Sequence, residues 1–374
     1  MRSVAACCLV ATFGLAAFLL TTSCGGSNSN STSSELGVLI GADLGSSNNV
    51  HVLAIDSDGT VAAVPGSPFA AAGSPVAVAA SASSHLVFVG CGTGGISGAV
   101  SAFEISSSGT LTPLGAPTTS NVFLPSTLSL TPNSDFLVVS GDNGPAIFSV
   151  DDSTGALTYI SDMGPYGPTT LSPDGQFIFY VDGSYLDVYA FNDTTGAASF
   201  VSSSFQFFGA VATPPVVAPS GQFVYVPYSQ QGGNGGIPGG IAAFSVGADG
   251  TLNLIPGSPF ASGIDFESAA GTPLTAAVIS PSGKYLYAIG ASGAYAFSID
   301  QTSGALTTIS STGPFLGGGF YTTAMDPFGQ YLFLSESQGR LWSFSVGSNG
   351  VPTQVSGSPF SVGNEITSLA SIQP

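Results

Sequence analysis

From about Leu36 to Pro374 the chain is a succession of short runs in which apolar and small polar residues alternate, interrupted every few residues by Gly, Pro, Asn or Asp. A period of two with such punctuation predicts β-strands joined by tight turns. Residues 171–181, LSPDGQFIFYV, carry the pattern in full: a strand, a turn built on Pro173, Asp174 and Gly175, then an aromatic-rich second strand. The same arrangement returns as VAPSGQFVYVP (217–227), ISPSGKYLYAI (279–289) and MDPFGQYLFLS (325–335), with weaker copies at 130–140 and 80–90.

A second element recurs out of step with the first: an aromatic-rich strand, a turn ending in glycine, and another strand. Its glycines are Gly59, Gly109, Gly155, Gly196, Gly250, Gly304 and Gly350, separated by 41 to 54 residues. Four short strands within that period predict one blade of a propeller, and seven copies predict an all-β, seven-bladed β-propeller. The first blade has only three strands before the second repeat begins, while 365–374 supplies an extra one. The C-terminal segment is therefore expected as the innermost strand of blade 1, closing the ring and removing a free sheet edge.

Composition changes the picture in two ways. Hydrophobic residues make up 44 % of the 374, so the 51 glycines punctuate strands rather than signal disorder. Charged residues are only 6 %, with 21 acidic against 3 basic and a formal charge of −18. A surface of that sign repels phosphate backbones and anionic headgroups, and with no basic patch the chain is not expected to bind nucleic acid.

At the N-terminus, Arg2 precedes an apolar run from Val4 to Leu20, followed by Thr21, Thr22, Ser23 and Cys24. The segment resembles a bacterial lipoprotein signal, in which the cysteine after small residues is acylated and becomes the mature N-terminus. The match departs from the family where Thr21 stands in place of the usual leucine, and a cleaved secretory signal or an uncleaved anchor stay open as alternatives. The resemblance implies a signal peptide over 1–23, lipidation at Cys24, a flexible polar tether over 24–35 and the propeller over 36–374. Such a protein is exported and held to a membrane of the bacterial cell envelope, on its periplasmic or surface side. With Cys7 and Cys8 in the apolar run, only Cys91 remains in the folded part, expected as a small residue at a strand end.

The two repeated motifs, P-[DS]-G-[KQ]-[YF] and Y-x-F-x-[IV]-[DN]-x-x-[ST]-G-x-L, resemble those of lactonase-type propellers related to 6-phosphogluconolactonase. In catalytic members an inner strand begins G-P-R-H, and its Arg and His serve the phosphorylated sugar lactone. The matching segment here is Gly167, Pro168, Thr169, Thr170. The resemblance implies the fold, but both functional side chains are replaced. Opening a lactone needs a base or polarising group, and a phosphorylated substrate needs cations.

Few groups could supply either. Beyond residue 23 the cations are Lys284 and Arg340, and the histidines are His51 and His85, both expected as surface imidazoles. Glu336 and Arg340 form the one close acid and base pair, expected as an exposed ion pair on a candidate binding face. Asp56, Asp58, Asp151, Asp152 and Asp193 fall in turns, where Asp is favoured for backbone reasons. Asp142 and Asp182 follow second strands, and could face the central channel and hold a calcium ion; no other cofactor is implied.

The insertions, at 91–98, 229–240 and 261–271, all fall in loops between second and third strands or in links between blades, hence on one face. Two readings follow. One is a non-catalytic envelope lipoprotein whose loop face binds a partner protein, glycan or small ligand. The other is a lactonase or related hydrolase with a rebuilt, metal-dependent site.

Overall fold

The alternation of buried and exposed positions is realised as strands throughout. The structure, a computed structural model, describes residues 36–43, 48–92, 98–120, 122–165, 167–183, 185–204, 213–229, 239–261, 264, 277–290, 292–309, 315–336, 338–363 and 365–374. Among these every regular element is a strand, and the strands group into seven antiparallel sheets of four or five. Each sheet is a blade, with strands a to d running outward from the centre. The predicted signal, Cys24 and the tether lie outside the described residues, as do most residues of the three insertions.

The innermost strands touch in sequence around the ring, blade 1 to 2 and onward to 7, and blade 7 returns to blade 1. Closure is as expected. Ile366–Ile372 is strand a of blade 1 and pairs antiparallel with Gly37–Asp43, which pairs in turn with Asn49–Ile55. Because each blade is antiparallel, the a–b and c–d turns share one face of the ring and the b–c loops and blade links share the other. The core lies between blades, where the apolar faces of adjacent sheets meet; Tyr180, Tyr225, Tyr287, Phe179, Phe244 and Phe333 are fully buried there.

The two sequence motifs turn out to be halves of one contact. The aromatic that opens strand b of one blade lies directly against the c–d turn glycine of the next. A Cβ on Gly59 would stand 2.1 Å from Tyr331, on Gly304 2.5 Å from Phe223, and on Gly350 2.4 Å from Tyr285. Phe136 faces Gly196 and Phe177 faces Gly250 in the same way. These glycines also have φ between +70° and +82°, where other residues are strained, so both backbone and space select glycine. Hydroxyls of the preceding blade then donate to the turn: Tyr225 to Gly304 O, Tyr287 to Gly350 O and Ser343 to Gly59 O, at 2.7–2.9 Å.

A third repeat went unread in the sequence although it is verbatim: GSPF at 66–69, 257–260 and 357–360. Here strand d stops, turns through a cis Ser–Pro bond, and resumes against strand c. The serine hydroxyls of Ser67, Ser258 and Ser358 accept the N–H of Val52, Ala243 and Ser343 at 2.8–2.9 Å, satisfying strand c amides where the outer strand has left the ladder. Three identical tetrapeptides in corresponding places were the available signal.

Candidate functional site

The axis of the ring is the natural place for a ligand, since seven strands converge there and their N-terminal ends open on the face carrying the b–c loops and links. Short inner strands of Ser, Thr, Ala, Val and Pro leave room that bulkier side chains would fill. The result is an axial cavity of about 360 Å³ lined by Ala77 and Val78, Ser126–Ser129, Thr169 and Thr170, Pro214–Val217, Ala277–Ile279, and Ser368 with Leu369. That volume suits a small ligand such as one sugar ring. No ionisable side chain is among the lining residues.

Its hydroxyls are largely committed to holding blades together. Thr169 is 1 % exposed and its Oγ1 lies 2.7 Å from Ser140 Oγ of blade 3. Thr170 donates to Pro215 O of blade 5 at 2.7 Å, and Ser368 of blade 1 accepts the N–H of Val78 in blade 2 at 3.2 Å. Thr127 differs: its Oγ1 is buried with no hydrogen-bond partner, as are those of Thr322 and Thr367 on the inner strands of blades 7 and 1. Thr322 and Thr367 do not line the cavity, and its lining offers neither a base nor a cation.

Asp142 and Asp182 do not line this cavity. Asp142 is exposed in the b–c loop of blade 3, its N–H donating to Phe123 O at 2.8 Å. Asp182 ends strand b of blade 4, paired in register with Tyr185. Its charge acts on neighbours: burial first, then Asp182, pushes the phenol of Tyr180 up, and burial with the Asp182 charge raises the Asp187 carboxyl against the hydrogen bond from Ser203. Asp142 and Asp182 thus belong to adjacent blades, and among the described residues no three His, Cys, Asp or Glu side chains gather as a metal site.

Glu336 and Arg340 do come together, at the b–c end of blade 7. Arg340 Nη2 lies 2.8 Å from Glu336 Oε1, and Trp342 Nε1 donates to Glu336 Oε2 at 2.6 Å. Glu336 is largely buried, its side chain 13 % exposed against 41 % for Arg340, so the pair is better enclosed than a simple surface ion pair. Trp342 stacks on Phe344 at 6.3 Å, and the Nε of Arg340 is buried without a partner. Trp342 was not singled out in the sequence; its place two residues beyond Arg340 on one strand face was the signal.

The turn acids behave as turn residues. Hydrogen bonds from Thr60 hold the Asp58 carboxyl below its ordinary range, and bonds from Ser153 and Thr154 do the same for Asp151. Cys91 lies one residue before the end of strand b of blade 2, fully buried, and burial raises its thiol. His85 is exposed as expected, whereas His51 corrects the expectation: it is 7 % exposed, with Nε2 3.4 Å from the fully buried Asp43. Strand c of blade 1 is covered by the neighbouring blade and by the GSPF turn, which the linear pattern does not reveal.

No family model matches the chain, and no curated protein does. Solved structures do resemble it. A provisionally assigned 6-phosphogluconolactonase from Bacteroides fragilis aligns over 92 % of this chain and 100 % of its own, with a TM-score of 0.72 at 20 % identity. Another from Bacteroides uniformis aligns over 90 % and 99 % with a TM-score of 0.72 at 18 % identity. The periplasmic gluconolactonase of Pseudomonas aeruginosa aligns over the same shares with a TM-score of 0.69 at 18 % identity. The chain thus has the seven-bladed, lactonase-type propeller fold that these proteins share.

Proposed function

We propose that this protein is a non-catalytic lipoprotein of the cell envelope whose propeller binds a partner protein, glycan or small ligand through the face carrying the b–c loops and blade links. The observation that supports it best is the axial cavity without an ionisable side chain, in which Thr169 and Thr170, at the resemblance's Arg and His positions, are spent on bonds to blades 3 and 5. A cavity with neither a cation nor a base in its lining, with Trp342 beside the Glu336 and Arg340 pair at the rim of blade 7, suits an uncharged ligand better than a dianionic one, which the chain's net charge of −18 would repel.

The test is hydrolysis of 6-phosphogluconolactone, expected at the spontaneous rate. Robust turnover abolished by substitution of Asp142 or Asp182 would overturn the proposal. It would favour the second reading, a lactonase with a rebuilt, metal-dependent site, to which the likeness to a periplasmic gluconolactonase lends support.

Export and anchoring form the other half of the proposal, with residues 1–23 as signal, 24–35 as tether and 36–374 as propeller. The same neighbour's periplasmic location supports export. Labelled palmitate is expected to follow the protein into membranes and to be lost in Cys24→Ser. Equal labelling of both forms would rule out acylation at Cys24.

A further inference from the structure

We propose that the outer corner of blade 4 is a docking site for a partner protein, holding one arginine side chain against Asp187 beside the rings of Tyr185, Tyr189 and Phe200. The register sets these groups on one sheet face. Strand c, Tyr185–Phe191, carries Tyr185, Asp187 and Tyr189 at alternate positions. Asp187 is paired with Tyr180 of strand b, Phe177–Asp182, and with Ser203 of strand d, Ala198–Ser203, while Tyr189 is paired with Phe200. This face is turned toward blade 3, where Thr169, paired with Tyr180, reaches Ser140. Blade 3 covers it only in part, for Tyr180 is fully buried whereas Phe200 is 58 % and Tyr185 41 % exposed.

Rings and charge together select the guest. Tyr189 lies 5.7 Å from Phe200, edge to face, and 6.3 Å from Tyr180, so the aromatics form one continuous surface, and a patch of that kind left in water marks a contact surface. Beside it stands the Asp187 carboxylate, to which Ser203 donates at 2.6 Å. Burial, opposed by that bond and reinforced by the Asp182 charge, raises the Asp187 carboxyl. The chain supplies no counter-charge there: its two cations beyond residue 23 belong to other blades, Lys284 adjoining strand b of blade 6 and Arg340 opening strand c of blade 7. A carboxylate beside aromatic faces is complementary to an organic cation. On an open face that cation is best an arginine, whose planar, weakly hydrated guanidinium stacks on rings and forks onto a carboxylate. A second copy of this chain would bring its own −18 and be repelled. Asp182 ends strand b and Tyr185 begins strand c, so the corner lies at the b–c end of the blade. The inference thus takes the partner-protein form of the role proposed above, which the hydrolysis and acylation tests decide separately.

The test titrates the full chain, carrying isotope-labelled tyrosine rings assigned by Tyr→Phe variants, with the peptide acetyl-Gly-Arg-Gly-amide. The resonances of Tyr185 and Tyr189 are expected to shift saturably. Tyr159, 43 % exposed and paired with Phe148 on the face of blade 3 that packs against blade 2, is expected to stay put. The citrulline peptide has the same shape without the charge and is expected to bind about tenfold more weakly, the effect of losing one charged hydrogen bond. Asp187→Asn keeps the side chain's shape and its acceptor for Ser203, and is expected to lose the same factor. Asp193→Asn, which removes an equal charge from the exposed c–d turn of the same blade, is expected to change nothing. The proposal is overturned by the absence of saturation, by parallel movement of Tyr159, by equal binding of the citrulline peptide or of its lysine counterpart, by tighter binding of methyl glucoside at the same rings, or by equal losses in Asp187→Asn and Asp193→Asn.

Discussion

Removal of residues 365–374 is expected to leave the protein insoluble or to lower its melting temperature by many degrees, because it strips blade 1 of its inner strand and opens the ring. The segment buries Ile366, Leu369 and Ile372, which are 1–8 % exposed. At about 1.5–3 kcal/mol per aliphatic side chain, that is roughly 5–9 kcal/mol before any ladder hydrogen bond is counted. A whole domain has a net stability of about 5–15 kcal/mol. The strand also ties both neighbours: Ser335 of blade 7 donates to Ile366 O, Ser371 donates to Met325 O, and Ser368 accepts from Val78 of blade 2. Soluble yield and thermal unfolding of the truncated and intact chains check this. An unchanged melting curve would show that the ring does not depend on its clasp.

The second large effect is expected at the same seam. Gly59→Ala places a Cβ 2.1 Å from the ring of Tyr331 at a φ of +82°. The ring has little freedom to retreat, being 9 % exposed and anchored by its hydroxyl to Ser57 O at 2.8 Å. Left-handed backbone costs about 1–2 kcal/mol for a residue with a Cβ, and overpacking adds about 1–3 kcal/mol. Gly221→Ala separates the two contributions, since Gly221 has a φ of +72° and nothing within 4 Å of its Cβ position. Urea unfolding is expected to show Gly221→Ala destabilised by the backbone cost alone and Gly59→Ala by about twice as much. Equal losses would mean that the aromatic contact contributes nothing.

These two sites show how legibility divided. The clasp was readable because it rests on counting: three strands in the first repeat, one left over at the end, and a period of 41 to 54 residues between turn glycines. The contact between Tyr331 and Gly59 was not, although both residues belong to motifs that stand out in the sequence. They lie 272 positions apart, and nothing local indicates that the aromatic of one blade seats on the glycine of the next. His51 shows the same limit, for its neighbours in sequence describe an outer strand and only the adjoining blade makes it buried.

By itself, then, the sequence determined the strands, their turns, the number of blades and the closing segment, because each follows from short-range periodicity and from the backbone demands of Gly and Pro. Only the tertiary structure decided which groups meet. It directed Thr169 and Thr170 into bonds with neighbouring blades, drew Glu336, Arg340 and Trp342 together at one rim, and set Asp43 behind His51 in a seam. The physical reason is that a propeller's sites lie between blades, where side-chain direction and burial are set by a partner sheet tens to hundreds of residues away.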